Sequence, residues 1–302
     1  MKVFITGAGG FIGGSVARVL IDSGHTIRGL TRSEAGAEKL AEQGIEPLIG
    51  SLDDAKILAD ECRSADAVIS AADADHADSV TTMLRALEGS GKSFVHTSGS
   101  SVVGDDARGE RATDSLFDED TPFIVQPRKA ARHAIDNAVL AASEGDVRSA
   151  VICPSLVYGT GRGSNPGSIQ VPFLVEQAMK AGVVRVVGTG RNRWSTVHID
   201  DLADLYRRVL LDAPAGAFYF AENGESSFAE IGAAIADRLG LGEVESWDAD
   251  DAAEKWGPAR AYFTYGSNSR VRAKRARREL RWAPDHGSVL EWIHDSTSLE
   301  GR

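Results

Sequence analysis

The sequence predicts an α/β protein: a doubly wound parallel sheet with a smaller C-terminal α+β substrate domain. Two observations lead there. Short apolar runs of strand length alternate with stretches of helical spacing through the first half of the chain. Glycines also bunch where the first apolar run gives way to the first helix.

The elements follow in order. "KVFIT" is a strand-length apolar run that passes straight into glycines, and Ile12, Val16, Val19 and Leu20 then share one helix face that Gly24 ends. "TIRGL", "EPLIG", "DAVISAA", "SFVHTS" and "SAVIC" have the length and composition of buried strands, with helical spacing between them. After Tyr158 the texture changes. "GTGRGSNPGSIQVP" is glycine-rich and irregular, then "VVRVVGTG", "VHIDDLADLYRRVLL" and "GAFYFA" return to strand and helix. "SSFAEIGAAIADRLG" is a capped amphipathic helix, with Ser227 and Glu230 at capping-box spacing and Gly240 as terminator. These readings divide the chain into residues 1–158 with returning segments at about 190–221, and a substrate domain at about 159–189 and 222–302.

Composition narrows the function. With 302 residues the chain can bury a core without staples. Its two cysteines, Cys62 and Cys153, have no metal-like spacing, so a reducing cytoplasm is expected and no metal is. The start lacks a basic region followed by an apolar one, and no stretch reaches membrane-spanning length. A net charge of −11 opposes nucleic-acid or anionic-membrane binding. The basic run "SRVRAKRARRELRW" is expected to be a solvated helix face. The expected partner is a small-molecule substrate, and the chain a monomer or homodimer.

"FITGAGGFIGG" is the most specific motif. Gly7, Gly10 and Gly13 stand between a strand and an amphipathic helix, the Rossmann-type setting in which glycine permits a tight turn, close approach of a pyrophosphate and tight helix–sheet packing. Phe11 and Ile12 open the helix whose N–H groups would face the anion. A carboxylate at the tip of the second strand would select NAD by holding the ribose 2′-hydroxyl. Here "GLTRSE" offers Thr31, Arg32 and Ser33 before the acid Glu34, so NADP is expected in preference to NAD.

The ordered motifs "TGAGGFIG", "GSLDD", "HTSGSSVVG", "CPSLVYG" and "VHIDDLADLY" resemble the extended and atypical short-chain dehydrogenase/reductases, which include NAD-dependent epimerase/dehydratase-like proteins. The resemblance implies a nicotinamide dinucleotide across the strand ends, with Leu52, Ala71, Ala72 and Thr97 along its path and Pro154, Leu156 and Val157 near the nicotinamide. It also implies a Ser or Thr, a Tyr and a Lys, the phenol moving a proton while the lysine holds the ribose and lowers the phenol pKa.

This chain departs from that pattern. The serine position falls on Gly99, between Ser98 and Ser100, and the tyrosine position, four ahead of Lys129, falls on Val125. Lys129 alone stays in register. Pro127 predicts a later start for the lysine helix, with Val125 on extended chain before it. Lys129 is then expected to bind the cofactor ribose. Tyr158, Ser98 and Ser100 are the candidate proton donors or polarising groups, with Lys129 itself and His133 as further options. Asp201 and Asp204 read as a helix cap. Trp194 stands where sugar-nucleotide members tend to carry an arginine, which points to an apolar or aromatic substrate, with Tyr262, Phe263 and Tyr265 adding aromatic surface. The expectation is an NADP-dependent oxidoreductase reducing a small carbonyl or conjugated compound. A non-catalytic NADP-binding sensor and an isomerase or lyase with retained cofactor are the alternatives.

Overall fold

A computed structural model describes residues 1–296. Seven strands, β1 (Lys2–Thr6), β2 (Thr26–Thr31), β3 (Glu46–Ile49), β4 (Ala67–Ser70), β5 (Ser93–Thr97), β6 (Arg148–Pro154) and β7 (Ala217–Ala221), form one sheet in the order β7-β6-β5-β4-β1-β2-β3. Every pairing in it is parallel. The order reverses beside β1, so the glycine loop that follows β1 opens at the switch point, where ligands bind in such sheets.

Alternate residues divide between two cores. Val3, Ile5, Ile69, Val95 and Ile152 pack on one face, under helices α1 (Phe11–Asp22) and α7 (Ile199–Asp212). Phe4, Val68, Phe94 and Val151 pack on the other, under α3 (Ala55–Ser64), α4 (Ala77–Leu87) and α5 (Ala130–Ala141). This period of two is what makes the strands read as continuous apolar runs, since both faces are buried. Phe94 is fully buried, and truncation to Ala would cost about 3–5 kcal/mol. The edge strand β3 is partly exposed and carries Pro47, which a central strand could not hold.

A third core lies beyond the ends of these strands. It joins α6 (Gln170–Ala181), α8 (Phe228–Leu239) and α9 (Ala249–Trp256) around Tyr158, Trp194, Phe228, Trp256 and Tyr265. The capping box of Ser227 and Glu230 is formed, and Gly240 ends α8 in a left-handed conformation.

Two segments depart from the sequence reading and one follows it. Leu156–Tyr158 leaves the main sheet and pairs with Arg193–His198, which also pairs with Glu225–Ser227. Of the returning segment, β7 and α7 join the main layer. The basic run is not a free solvated face: Ala273, Ala276, Leu280 and Trp282 are buried against the main core. Its cations meet acids, Arg272 and Arg277 on Glu222, Lys274 on Asp118, Arg275 on Asp120. The apolar side of this segment was hidden because charged residues outnumber it locally.

Candidate active site

The phosphate end is made of backbone. Gly7 has φ 79°, and a Cβ there would stand 2.6 Å from the Ala71 carbonyl oxygen. A Cβ on Gly13 would stand 2.3 Å from the Gly7 oxygen, so Gly13 is the glycine that packs helix on loop. Gly10 caps α1 without a side-chain acceptor, which leaves the first N–H groups of the helix for an anion. The glycine-rich loop after Tyr158 seats on this turn. Gly163 abuts Gly14, Asn165 Nδ2 donates to the Gly9 oxygen at 2.7 Å, and the Arg162 N–H donates to Ser15 Oγ at 3.0 Å.

A cavity of about 630 Å³ runs from this loop to the tip of β2. Gly7, Gly10, Thr31, Arg32, Leu52, Ala71 and Ala72 line it, as their motifs predict. Ser33, named with Thr31 and Arg32 at the strand tip, lines it too, and Lys39, Asp53, His76, Ser164 and Asn165 also line it and were missed. Lys39 lies one turn into α2 (Glu34–Glu42), but nothing in the sequence tells which face of that helix turns toward a ligand. Ser33 Oγ accepts the Gly36 N–H at 3.1 Å, and Glu34 is not among the lining residues. The cradle that added Cβ atoms would fill, with its free helix N-terminus, fits a dinucleotide.

Several expected cofactor neighbours lie outside this cavity. Phe11 packs against Gly161, and Ile12 packs on the sheet core. Thr97 Oγ1 is turned inward to the Tyr206 hydroxyl at 2.6 Å. Pro154 ends β6, while Leu156 and Val157 are buried in the cores on either side of the strand Leu156–Tyr158.

The reaction end is made of side chains. Pro127–Lys129 is a short 3-10 turn and α5 begins at Ala130, so Lys129 is its N-cap residue and Val125 lies on extended chain. The Lys129 ammonium sits 5.5 Å from the Phe263 ring centre, with the Arg128 guanidinium 5.8 Å from the same ring. Burial, and then the nearby Arg132 charge, lowers the Lys129 pKa, with Asp75 opposing. Arg132, one turn on, bonds Asp75 through Nε at 2.8 Å and through Nη2. Its Nη1 lies 3.2 Å from where a Cβ on Gly99 would be.

The predicted hydroxyls are otherwise engaged. Ser98 donates to the Asp136 carboxylate at 2.7 Å, and Ser100 pairs with Ser269 at 2.7 Å, both buried. Burial pushes Asp136 up to about 7 and His96 down to about 4. At 3.9 Å the His96 ring and the Asp136 carboxyl are too far apart for a hydrogen bond, and burial disfavours the charged form of both. His133 stands edge-on to Phe123.

Tyr158 is corrected from proton donor to packing residue. Its hydroxyl donates to the His286 carbonyl at 3.1 Å, its ring packs on His198 and Trp292, and burial raises its pKa. His198 and His286 stack at 3.9 Å with nearly parallel rings, so their in-plane lone pairs do not converge on one ion even though Asp200 is close. Asp201 is also corrected: it accepts the Asp285 and His286 N–H groups and the His286 ring, while His198 caps α7. Asp204 pairs with Arg207 and Arg208. Trp194 is no substrate contact either, being buried with its N–H on the Ser267 oxygen at 2.8 Å. Tyr265 is buried and bonds the Gln170 oxygen, while Tyr262 bonds Asp250.

A second cavity of about 400 Å³ lies beside this end, lined by Val103, Gly104, Phe117, Phe123, Ile124 and Gln126 among others. Nothing in the sequence pointed to it, because residues 103–126 close on Asn268 and Arg270, more than 140 positions away.

The NAD dependent epimerase/dehydratase family matches residues 3–219. The chain belongs to this family. It is 32% identical to an oxidase named ucsJ from Acremonium sp, over 94% of this chain and 92% of that one. It is 30% identical to the 2-alkyl-3-oxoalkanoate reductase of Stenotrophomonas maltophilia strain K279a, over 74% and 71% of the two chains. The dTDP-glucose 4,6-dehydratase of Bacillus anthracis str. Ames, solved with NAD, shares the fold with a TM-score of 0.78 at 18% identity, over 99% and 96%. Family and fold make this chain a nicotinamide-dinucleotide enzyme of the oxidoreductase type. Among the described residues no helix is long and apolar enough to cross a membrane.

Proposed function

We propose that the chain is an NADP-dependent reductase of a small, apolar or aromatic carbonyl or conjugated compound. The observation that carries the cofactor preference is the far end of the large cavity, where Arg32, Lys39, Thr31 and Ser33 stand together and Glu34 does not enter. Two cations and two hydroxyls suit a 2′-phosphate. The names of the two curated relatives, an oxidase and an oxoalkanoate reductase, support redox chemistry at a carbonyl.

When bound, the reduced nicotinamide supplies hydride from its C4 to an electrophilic carbon. Lys129, fixed at the start of α5, would hold the ribose. With Ser98, Ser100 and Tyr158 bonded internally, the proton for the substrate oxygen falls to the Lys129 ammonium or a water it holds. Its lowered pKa makes it a better acid near neutrality than a free lysine.

One observation favours a second reading. Each hydroxyl near the missing Ser and Tyr is committed to the fold, as in a dinucleotide-binding sensor without turnover. Titration with NADPH and NADH, followed by NADPH consumption on a carbonyl panel, separates the two. NADPH is expected to bind at least about tenfold tighter than NADH, and Arg32→Ala to erase most of the difference. Equal affinities in the unaltered protein would remove the NADP preference. Tight binding with no turnover on the panel would favour the sensor.

A further inference from the structure

We propose that Arg132 anchors a carboxylate of the substrate, and that the substrate is an apolar oxo acid whose chain lies in the second cavity. The proposal rests on the reductase reading above and adds the class of substrate.

Gly99 leaves open the space that a side chain would fill at the usual serine position, and the atom nearest that space is Arg132 Nη1. The guanidinium is a planar fork. Asp75 occupies the edge made by Nε and Nη2, and Nη1 keeps one long contact of 3.4 Å to Ser101 Oγ. The outer edge can therefore accept a second carboxylate. The Lys129 cation stands near it and, like Arg128, rests on Phe263, and among the described residues neither makes an ion pair. Two cations, Lys129 and Arg132, thus share the one carboxylate Asp75, in a chain whose net charge is −11. Asp136 adds only part of a charge, since burial raises its pKa. A local excess of positive charge in an acidic protein draws an anionic ligand.

The apolar part of such a ligand has a place beside it. Val103, two residues past Ser101, and Phe123, whose ring touches His133 next to Arg132, are among the residues lining the second cavity. Its volume of about 400 Å³ is in the range of small-molecule sites. Ile124 on its wall is 93% exposed, a large apolar side chain that a bound alkyl chain would cover. Arg270 in the same wall is already held by Glu225 and is not the free cation.

The test uses octanoate and octan-1-ol as probes on the NADPH-saturated full chain, with affinities from calorimetry. Octanoate should bind at least about tenfold tighter. Arg132→Met should remove that preference while octanol and NADPH affinities hold, and Arg132→Lys should keep part of it. Asp75→Asn, which takes away the competing carboxylate, should tighten octanoate binding. No preference for octanoate, or a preference that survives Arg132→Met, overturns the proposal. If Arg132→Met does not fold, unchanged octanoate affinity in Asp75→Asn overturns it instead. Failure to bind NADPH would sink the reductase reading separately, and the octanoate comparison on the free chain would still decide this one.

Discussion

The two ends of the cofactor groove are built by different means. At the phosphate end the turn of Gly7, Gly10 and Gly13 presents backbone, and its fit depends on what these positions lack. At the reaction end the pattern residues are gone from 99 and 125, and Lys129, Arg132 and Asp136 of one helix have been brought together with Asp75 from a separate segment. A site made of backbone tolerates almost no change, because any added atom meets a main chain that cannot move aside. A site made of long side chains can exchange its chemistry while the fold stays as it was.

The largest expected effect breaks the first end. Gly7→Val would place Cβ 2.6 Å from the Ala71 carbonyl in a backbone conformation that a β-branched residue avoids. NADPH binding should disappear and the melting temperature should fall by several degrees, both read in one fluorescence titration and melt. Retained binding would mean that the turn is not the phosphate cradle.

Next, Lys129→Met should lower NADPH-dependent turnover by about 10²-fold or more on any carbonyl the protein accepts, with a much smaller change in NADPH affinity. Equal losses in both would make the lysine a binding group alone.

Smaller and different in kind is the buried Asp136. Its folded pKa, about 7, lies above that of an unfolded Asp, so the folded state holds the extra proton. Stability from this group is full below about pH 4 and is lost as the pH rises through about 7. His96 acts oppositely, its folded pKa of about 4 costing stability as the pH falls below about 6.5. The Asp136 effect is therefore clearest between about pH 6.5 and 8. Asp136→Asn, which keeps an acceptor for Ser98, should remove this decline in unfolding free energy, up to about 1 kcal/mol between about pH 6.5 and 8 in urea titrations. A decline of unchanged slope would mean that Asp136 is ionised in the fold.

The smallest effect separates Tyr158 from the chemistry. Tyr158→Phe removes one bond to the His286 carbonyl and should cost about 1 kcal/mol of stability with turnover unchanged. A large loss of turnover would return the phenol to the active site.

The first half of the fold was legible because its signals are local. Most strands are short, mainly apolar runs bounded by a glycine or a cap, and the loop after β1 has its function in its own spacing. Asp201 was misread for the same reason. The spacing of an acid near a helix start looks like a cap, but its three donors come from His286 and Asp285, more than eighty positions away. Tyr158 lies in a motif adjacent to cofactor residues, yet the strand that carries it turns into the third core.

By itself the sequence determined the parallel sheet, the phosphate turn, the late start of α5 and the loss of the usual serine and tyrosine, since each depends on residues within a few positions of one another. The tertiary structure alone decided which side chains replace them. Arg132 and Asp75 are 57 positions apart, and Gly99 becomes meaningful only when a guanidinium is found against it. A missing side chain is visible in a sequence, but what fills its space depends on contacts that only folding brings within a few ångströms.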